Sequence, residues 1–121
     1  MEVVVRAYVY ASCSSCRNAE AFLAEQGATV ERRDFFKQRF TVDELRGVLA
    51  SAAIGPRDVL SLRSKVYKAR SAEIDALDDA DLLSLMTEEP TLLRRPLVIG
   101  VGGHVVGFDR AELAALVASE R

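Results

Sequence analysis

The chain has 121 residues, half of them apolar and 28% charged, the length and balance of one soluble domain that can bury a core without disulfide or metal staples. Its net charge of −2 gives no general attraction to nucleic acid or to acidic membranes, so neither is expected as a direct partner. No apolar run approaches the ~18 residues of a membrane span, and MEVVVRAYVY places Glu2 and Arg6 where a secretory leader needs unbroken apolar residues, so the expected compartment is the cytoplasm.

Residues 3–10, VVVRAYVY, are β-branched and aromatic and predict a buried strand. From Ser14 onward Ala19, Phe22, Leu23 and Gln26 follow helical spacing, and Gly27 is a natural stop. Residues 29–33 predict a second strand. Strand, helix and strand within some thirty residues form a βαβ unit, which places the two strands parallel.

The middle of the chain predicts helices. TVDE at 41–44 has the capping-box pattern, with Thr41 as N-cap and Glu44 reaching back. Leu45, Val48 and Leu49 supply an apolar face behind it. Gly55 and Pro56 end that helix and start a short one, since proline suits a first helical turn. Helical pieces at 65–70, 71–77 and 79–88 follow, the last with Leu82, Leu83, Leu85 and Met86 on one side and Pro90 at its end. Five cations (Arg57, Arg63, Lys65, Lys68, Arg70) precede five anions (Glu73, Asp75, Asp78, Asp79, Asp81), a pattern of two solvated faces or of a surface for an anion or partner.

LVIGV (97–101) and HVVGF (104–108) predict two strands joined through Gly102 and Gly103 as an antiparallel hairpin. These glycines fit neither nucleotide-binding fingerprint. Asp109 with Glu112 caps a last helix whose core side is Leu113, Leu116 and Val117. The order βαβ, helical insert, ββα predicts an α/β fold: a thioredoxin-like mixed sheet, with residues 1–40 and 91–121 as its core, 41–90 inserted between the second and third strands, and the whole chain as a single domain.

The only two cysteines, Cys13 and Cys16, stand where the first strand gives way to the first helix. At a helix N-terminus, unpaired N–H groups and the helix dipole favour a thiolate, and thiol pKa values there fall from about 8.5 to between ~3.5 and ~7.5. Arg17 adds positive charge. Cys16, three residues on, lies on the same side of the first turn and can close a disulfide with Cys13. Two other roles are open to the pair. A zinc site needs further ligands, and only His104, in a predicted strand, offers one, so no metal is expected. A purely structural pair would simply pack in the core.

YASCSSCRNAEAFL, LRSKVYK (62–68), TLLRRPLVIG (91–100) and VGFDRAELAALV together resemble the arsenate reductase / Spx family of thioredoxin-fold proteins over nearly the whole chain. The resemblance implies a thiol–disulfide redox protein with Cys13 as nucleophile and Cys16 as resolving thiol. It also implies Arg63 and Arg95 as the cations that steady the thiolate or a small oxyanion, with Arg17 and Pro96 in support and Pro96 in the cis form. No bound cofactor is implied; the reductant would be glutathione, glutaredoxin or the thioredoxin system. A third family arginine falls where this chain has Phe108, and Cys16 stands where arsenate reductases usually have serine. Both features resemble the Spx branch, whose members bind the C-terminal domain of the RNA polymerase α subunit. The matching contact residue is Gly55, which as a neighbour of Pro56 also suits a plain helix terminator. A redox-sensing regulator and a glutathione- or glutaredoxin-dependent arsenate reductase are therefore the two alternatives.

Overall fold

The computed structural model describes residues 2–121. Strand β1 (Val3–Val9) leads into helix α1 (Ser14–Glu25), followed by β2 (Ala28–Asp34). Helices α2 (Val42–Ser51), α3 (Lys65–Asp75) and α4 (Asp79–Glu88) come next, with 3-10 turns at Pro56–Val59 and Pro90–Leu92. Strands β3 (Leu97–Ile99) and β4 (His104–Val106) and helix α5 (Arg110–Ser119) complete the chain. The sheet order is β2-β1-β3-β4, with β1 and β2 parallel and the other two pairings antiparallel. This is the expected mixed sheet with a βαβ start and a ββα finish.

The chain divides into two compact units, one comprising residues up to Gln38 with Arg95–Arg121, the other Arg39–Arg94. The first unit holds the sheet. Val3, Val5, Ala7 and Val9 alternate onto the face shared with Val98 and Val105, and α1 and α5 bury Ala19, Leu23, Leu113, Leu116 and Val117 against it. Burying such aliphatic side chains stabilises the fold by roughly 1.5–3 kcal/mol each. Helix α1 ends where Gly27 takes φ +80, a conformation that costs glycine little.

The hairpin differs from the sequence reading. Each of its strands has three residues, Ile99 pairs with His104, and the Gly100 N–H donates to Gly103. The loop is thus centred on Val101 and Gly102, one residue earlier than expected. Glu120, the C-cap of α5, explains the shift: its carboxylate accepts from the Val101 and Gly102 N–H groups, taking them away from the ladder. A Cβ on Gly100 would lie 2.5 Å from Glu120 Oε1 and 3.1 Å from Leu116 Cδ1, so a side chain there would have to displace the Glu120 carboxylate. At the other end Gly107, with φ +84, turns the chain out of β4 before Phe108.

In the second unit the capping box forms in full: the Glu44 N–H donates to Thr41 Oγ1 and the Thr41 N–H to Glu44 Oε1. Leu45 and Leu49 of α2 and Leu82, Leu83, Leu85 and Met86 of α4 are buried. The split expected at 70–71 is a kink inside one helix, with Arg70 at φ −129 and ψ 26. The residue that closes α2 in the left-handed region is Ala53, at φ 55. Gly55 is extended, at φ −101 and ψ 170, so it is not the helix terminator that its place beside Pro56 suggested.

Part of the charged run resolves into local partners. Arg70 makes a two-pronged ion pair with Glu73, at 2.9 and 2.8 Å. The Tyr67 hydroxyl donates to Asp75, and Arg57 caps the C-terminal carbonyls of α3 at Ile74 and Leu77. Asp78 caps α4 through the Asp81 N–H.

Candidate active site

The parallel register sets Val9 beside Asp34, so the segments leaving β1 and β2 run side by side at one end of the sheet. The first of these segments carries the cysteines. Cys13 is the N-cap of α1: its N–H donates to the Tyr10 carbonyl at 3.0 Å and its own carbonyl accepts from Arg17. Its side chain is partly exposed. Cys16, one turn in, is fully buried against the sheet, with the Tyr10 N–H directed at its sulfur at 3.5 Å. Both thiols are free.

Their electrostatics differ in sign. Burial alone would push the Cys13 thiol up, but hydrogen bonds from the Cys16 N–H and thiol, the charge of Arg95 and the Ser15 N–H together bring it below its ordinary value. These are the helix N-terminal donors expected to favour an anion. Burial pushes Cys16 up to about 12, only partly offset by the Tyr10 N–H, and its hydrogen bond to Cys13 and the charge of Cys13 add to the rise. One sulfur is therefore poised to ionise and its neighbour to remain a thiol.

Arg95, which precedes β3, lies over two rings, 5.5 Å from Tyr10 and 5.2 Å from Phe36, which stack on each other at 4.0 Å. Its Nε is buried and finds no acceptor among the described residues. The bond between Arg95 and Pro96 is cis, as expected. Arg17 donates to the Ala11 carbonyl at 3.3 Å. Phe108 packs against the core of the first unit, and Arg110 lies 5.8 Å from its ring and 5.0 Å from that of Phe22. His104 is exposed on β4, and no cluster of three or more metal-binding side chains occurs among the described residues.

The structure thus gathers Cys13, Cys16, Arg95 and Pro96 within the first unit. Arg63 and Gly55 belong to the second. Arg63 is exposed, one residue before Ser64, the N-cap of α3. The Gly55 N–H donates to Asp58 at 2.8 Å, and a Cβ built on Gly55 would meet only Asp58 Oδ2, at an ordinary 3.8 Å. Sequence reasoning missed Tyr10, Phe36 and Asp34. The Asp34 carboxylate, nearly buried, accepts from the N–H groups of Ala11, Phe36 and Lys37. Against the penalty of burial these bonds hold it below the usual carboxylate range. The one available signal was an aspartate at a strand end followed by a turn.

A free-thiol pair at the strand-to-helix corner of this mixed sheet defines a thioredoxin-like thiol redox protein. The family model described as "ArsC family" matches residues 8–116, and the chain belongs to that family. It is 34% identical over 110 residues to the global transcriptional regulator Spx of Staphylococcus saprophyticus, covering 91% of this chain and 84% of that protein. It is 37% identical over 106 residues to the protein of the same name from Enterococcus faecalis, covering 88% and 80%. Among solved structures, the arsenate reductase from Vibrio cholerae shares the fold with a TM-score of 0.82 at 23% identity, over 96% of this chain and 99% of that one. An arsenate reductase related protein from Brucella melitensis does so with a TM-score of 0.72 at 22% identity, over 95% and 93%.

Proposed function

We propose that Cys13 is the attacking thiolate and Cys16 the resolving thiol of a thiol–disulfide exchange protein. The observation that carries the reading is the asymmetry of the pair: a partly exposed sulfur that ionises readily beside a sealed one pushed up to about 12. The Cys13 thiolate attacks one sulfur of a substrate disulfide. That S–S bond breaks, the other sulfur leaves as a thiolate, and a mixed disulfide remains on Cys13.

Once Cys13 is so bonded it carries no charge, and two of the influences that hold the Cys16 proton are gone. Cys16 then loses its proton and attacks the Cys13 sulfur. The second substrate thiolate departs, and two electrons have passed from the pair to the substrate. An external thiol donor, glutathione or a glutaredoxin-like dithiol in the cytoplasm, returns them. Arg95 steadies the anion at Cys13.

The test is trapping. In Cys16→Ser an aromatic disulfide reagent should leave a stable mixed disulfide on Cys13, whereas the parent should proceed to the internal disulfide. Equal labelling of Cys16 in Cys13→Ser would defeat the assignment.

A second reading is favoured by Gly55. Neither its φ nor its surroundings demand glycine, and relatives at 34–37% identity are named as global transcriptional regulators. In this reading the thiol pair is a sensor, and the Gly55 surface docks on the C-terminal domain of the RNA polymerase α subunit. Gly55→Arg should fold normally and lose that binding; an absence of binding by the parent ends the reading. Arsenate turnover would use the same thiolate and Arg95, and is tested by arsenate-dependent consumption of glutathione with glutaredoxin.

A further inference from the structure

Asp34 has no part in the exchange chemistry above, yet it is a buried residue, 7% exposed, whose carboxylate is bonded to the turn that leads into the thiol pair. Burying such a charge is costly unless donors compensate it. The donors here come from two segments. Oδ1 accepts from Phe36 at 2.9 Å and Lys37 at 3.2 Å, in the turn leaving β2. Oδ2 accepts from Ala11 at 3.1 Å, in the turn between β1 and α1. The first two bonds close a local Asx-type turn. The bond to Ala11, 23 residues away, is not needed for that turn.

What it does is join the two segments that carry the stacked rings under Arg95, Tyr10 and Phe36. Tyr10 also supplies the carbonyl that takes the Cys13 N–H and the N–H that meets the Cys16 sulfur. One carboxylate thus spans the backbone under the thiols and the shelf under the cation.

We propose that Asp34 is a positioning residue of the thiol pair: by tying Ala11 to Phe36 it fixes the Tyr10–Phe36 shelf that keeps Arg95 at Cys13. The inference rests on the thiol-redox reading above. Position and charge predict opposite signs. Removing an anion near a thiolate should by electrostatics alone make that thiolate easier to form, whereas loosening Arg95 should make it harder. The titratable and charged groups that act on Cys13 are Cys16 of α1 and Arg95 ahead of β3, and Lys37 is the charged group that acts on Asp34.

Asp34→Asn separates these effects. Its side-chain oxygen can still serve Phe36 and Lys37, while its NH₂ opposes the Ala11 N–H and breaks that single tie. The measurement is the pH profile of Cys13 alkylation by iodoacetamide, resolved by peptide mass, in the full-length parent, Asp34→Asn and Phe36→Leu. The second variant keeps the carboxylate and all three bonds but removes one ring of the shelf, so it reads the mechanism even if the first folds poorly.

Both variants should react roughly 3- to 10-fold more slowly than the parent near neutral pH and reach the same rate at high pH, since tenfold in thiolate population is one pH unit. An Asp34→Asn protein that reacts as fast as the parent or faster, with the parent still activated, overturns the inference and leaves the redox reading standing. An unchanged profile in Phe36→Leu overturns it too. A parent that titrates like free cysteine removes the redox reading and this inference together.

Discussion

Arg95→Met separates what the cation does for the fold from what it does for the thiol. The side chain is half-buried, its guanidinium lies over Tyr10 and Phe36, and its Nε has no acceptor among the described residues. Each cation–π contact is worth about 0.5–1 kcal/mol, so their loss costs roughly 1–2 kcal/mol. Removing a buried, unpaired N–H returns roughly 1–3 kcal/mol, and methionine refills the space left by the aliphatic stem. The two sums leave a net effect between about 1 kcal/mol of loss and about 2 kcal/mol of gain, which for a domain of this size is a melting shift between roughly 3–5 °C down and roughly 6–10 °C up. The thiol should respond differently, because the charge of Arg95 lowers Cys13. Denaturant unfolding and the alkylation rate of Cys13 at neutral pH, measured on the same preparation, give both numbers. Near-parental or higher stability with clearly slower alkylation is the expected pair. Destabilisation by more than ~3 kcal/mol with unchanged alkylation would refute the reasoning and make Arg95 a structural residue.

Ala53→Gly should stabilise the chain. Ala53 sits at φ 55, which costs an L-residue roughly 1–2 kcal/mol, while glycine gives back roughly 0.5–1 kcal/mol in chain entropy. A melting point about 2–5 °C higher is expected; a fall would show that the strain is not there. Asp34 predicts an acid limb. Its folded value lies below the ordinary one, so its contribution is present above the unfolded carboxylate value, near pH ~3.9, and is lost as pH falls through the folded value. The stability gap between the parent and Asp34→Asn should therefore be wide near pH ~6 and shrink by about pH 3. A gap independent of pH would contradict the assigned bonds.

Much of the architecture was legible because its signals are local. Apolar spacing and caps gave α1, α2, α4 and α5 nearly residue by residue, down to the reciprocal bonds of Thr41 and Glu44. The hairpin centre was not legible, because it is set by Glu120, some twenty residues away at the C-cap of α5. Gly55 was assigned the role that Ala53 performs, since composition ranks glycine first for a left-handed position and cannot foresee an alanine accepting the strain. The site divides along the same line. Cys13 and Cys16 declare themselves by spacing and position. Tyr10, Phe36 and Asp34 acquire meaning only when the parallel register brings Val9 beside Asp34, and no periodicity in either segment encodes that pairing.

The most direct measurement is a thiolate absorbance titration of the two single-cysteine variants, Cys16→Ser for the sulfur at 13 and Cys13→Ser for the sulfur at 16. The account predicts that the first ionises below the free-cysteine value of about 8.5, and that the second stays protonated well above it, the direction set by burial. Two coincident curves centred on the free-cysteine value would contradict it.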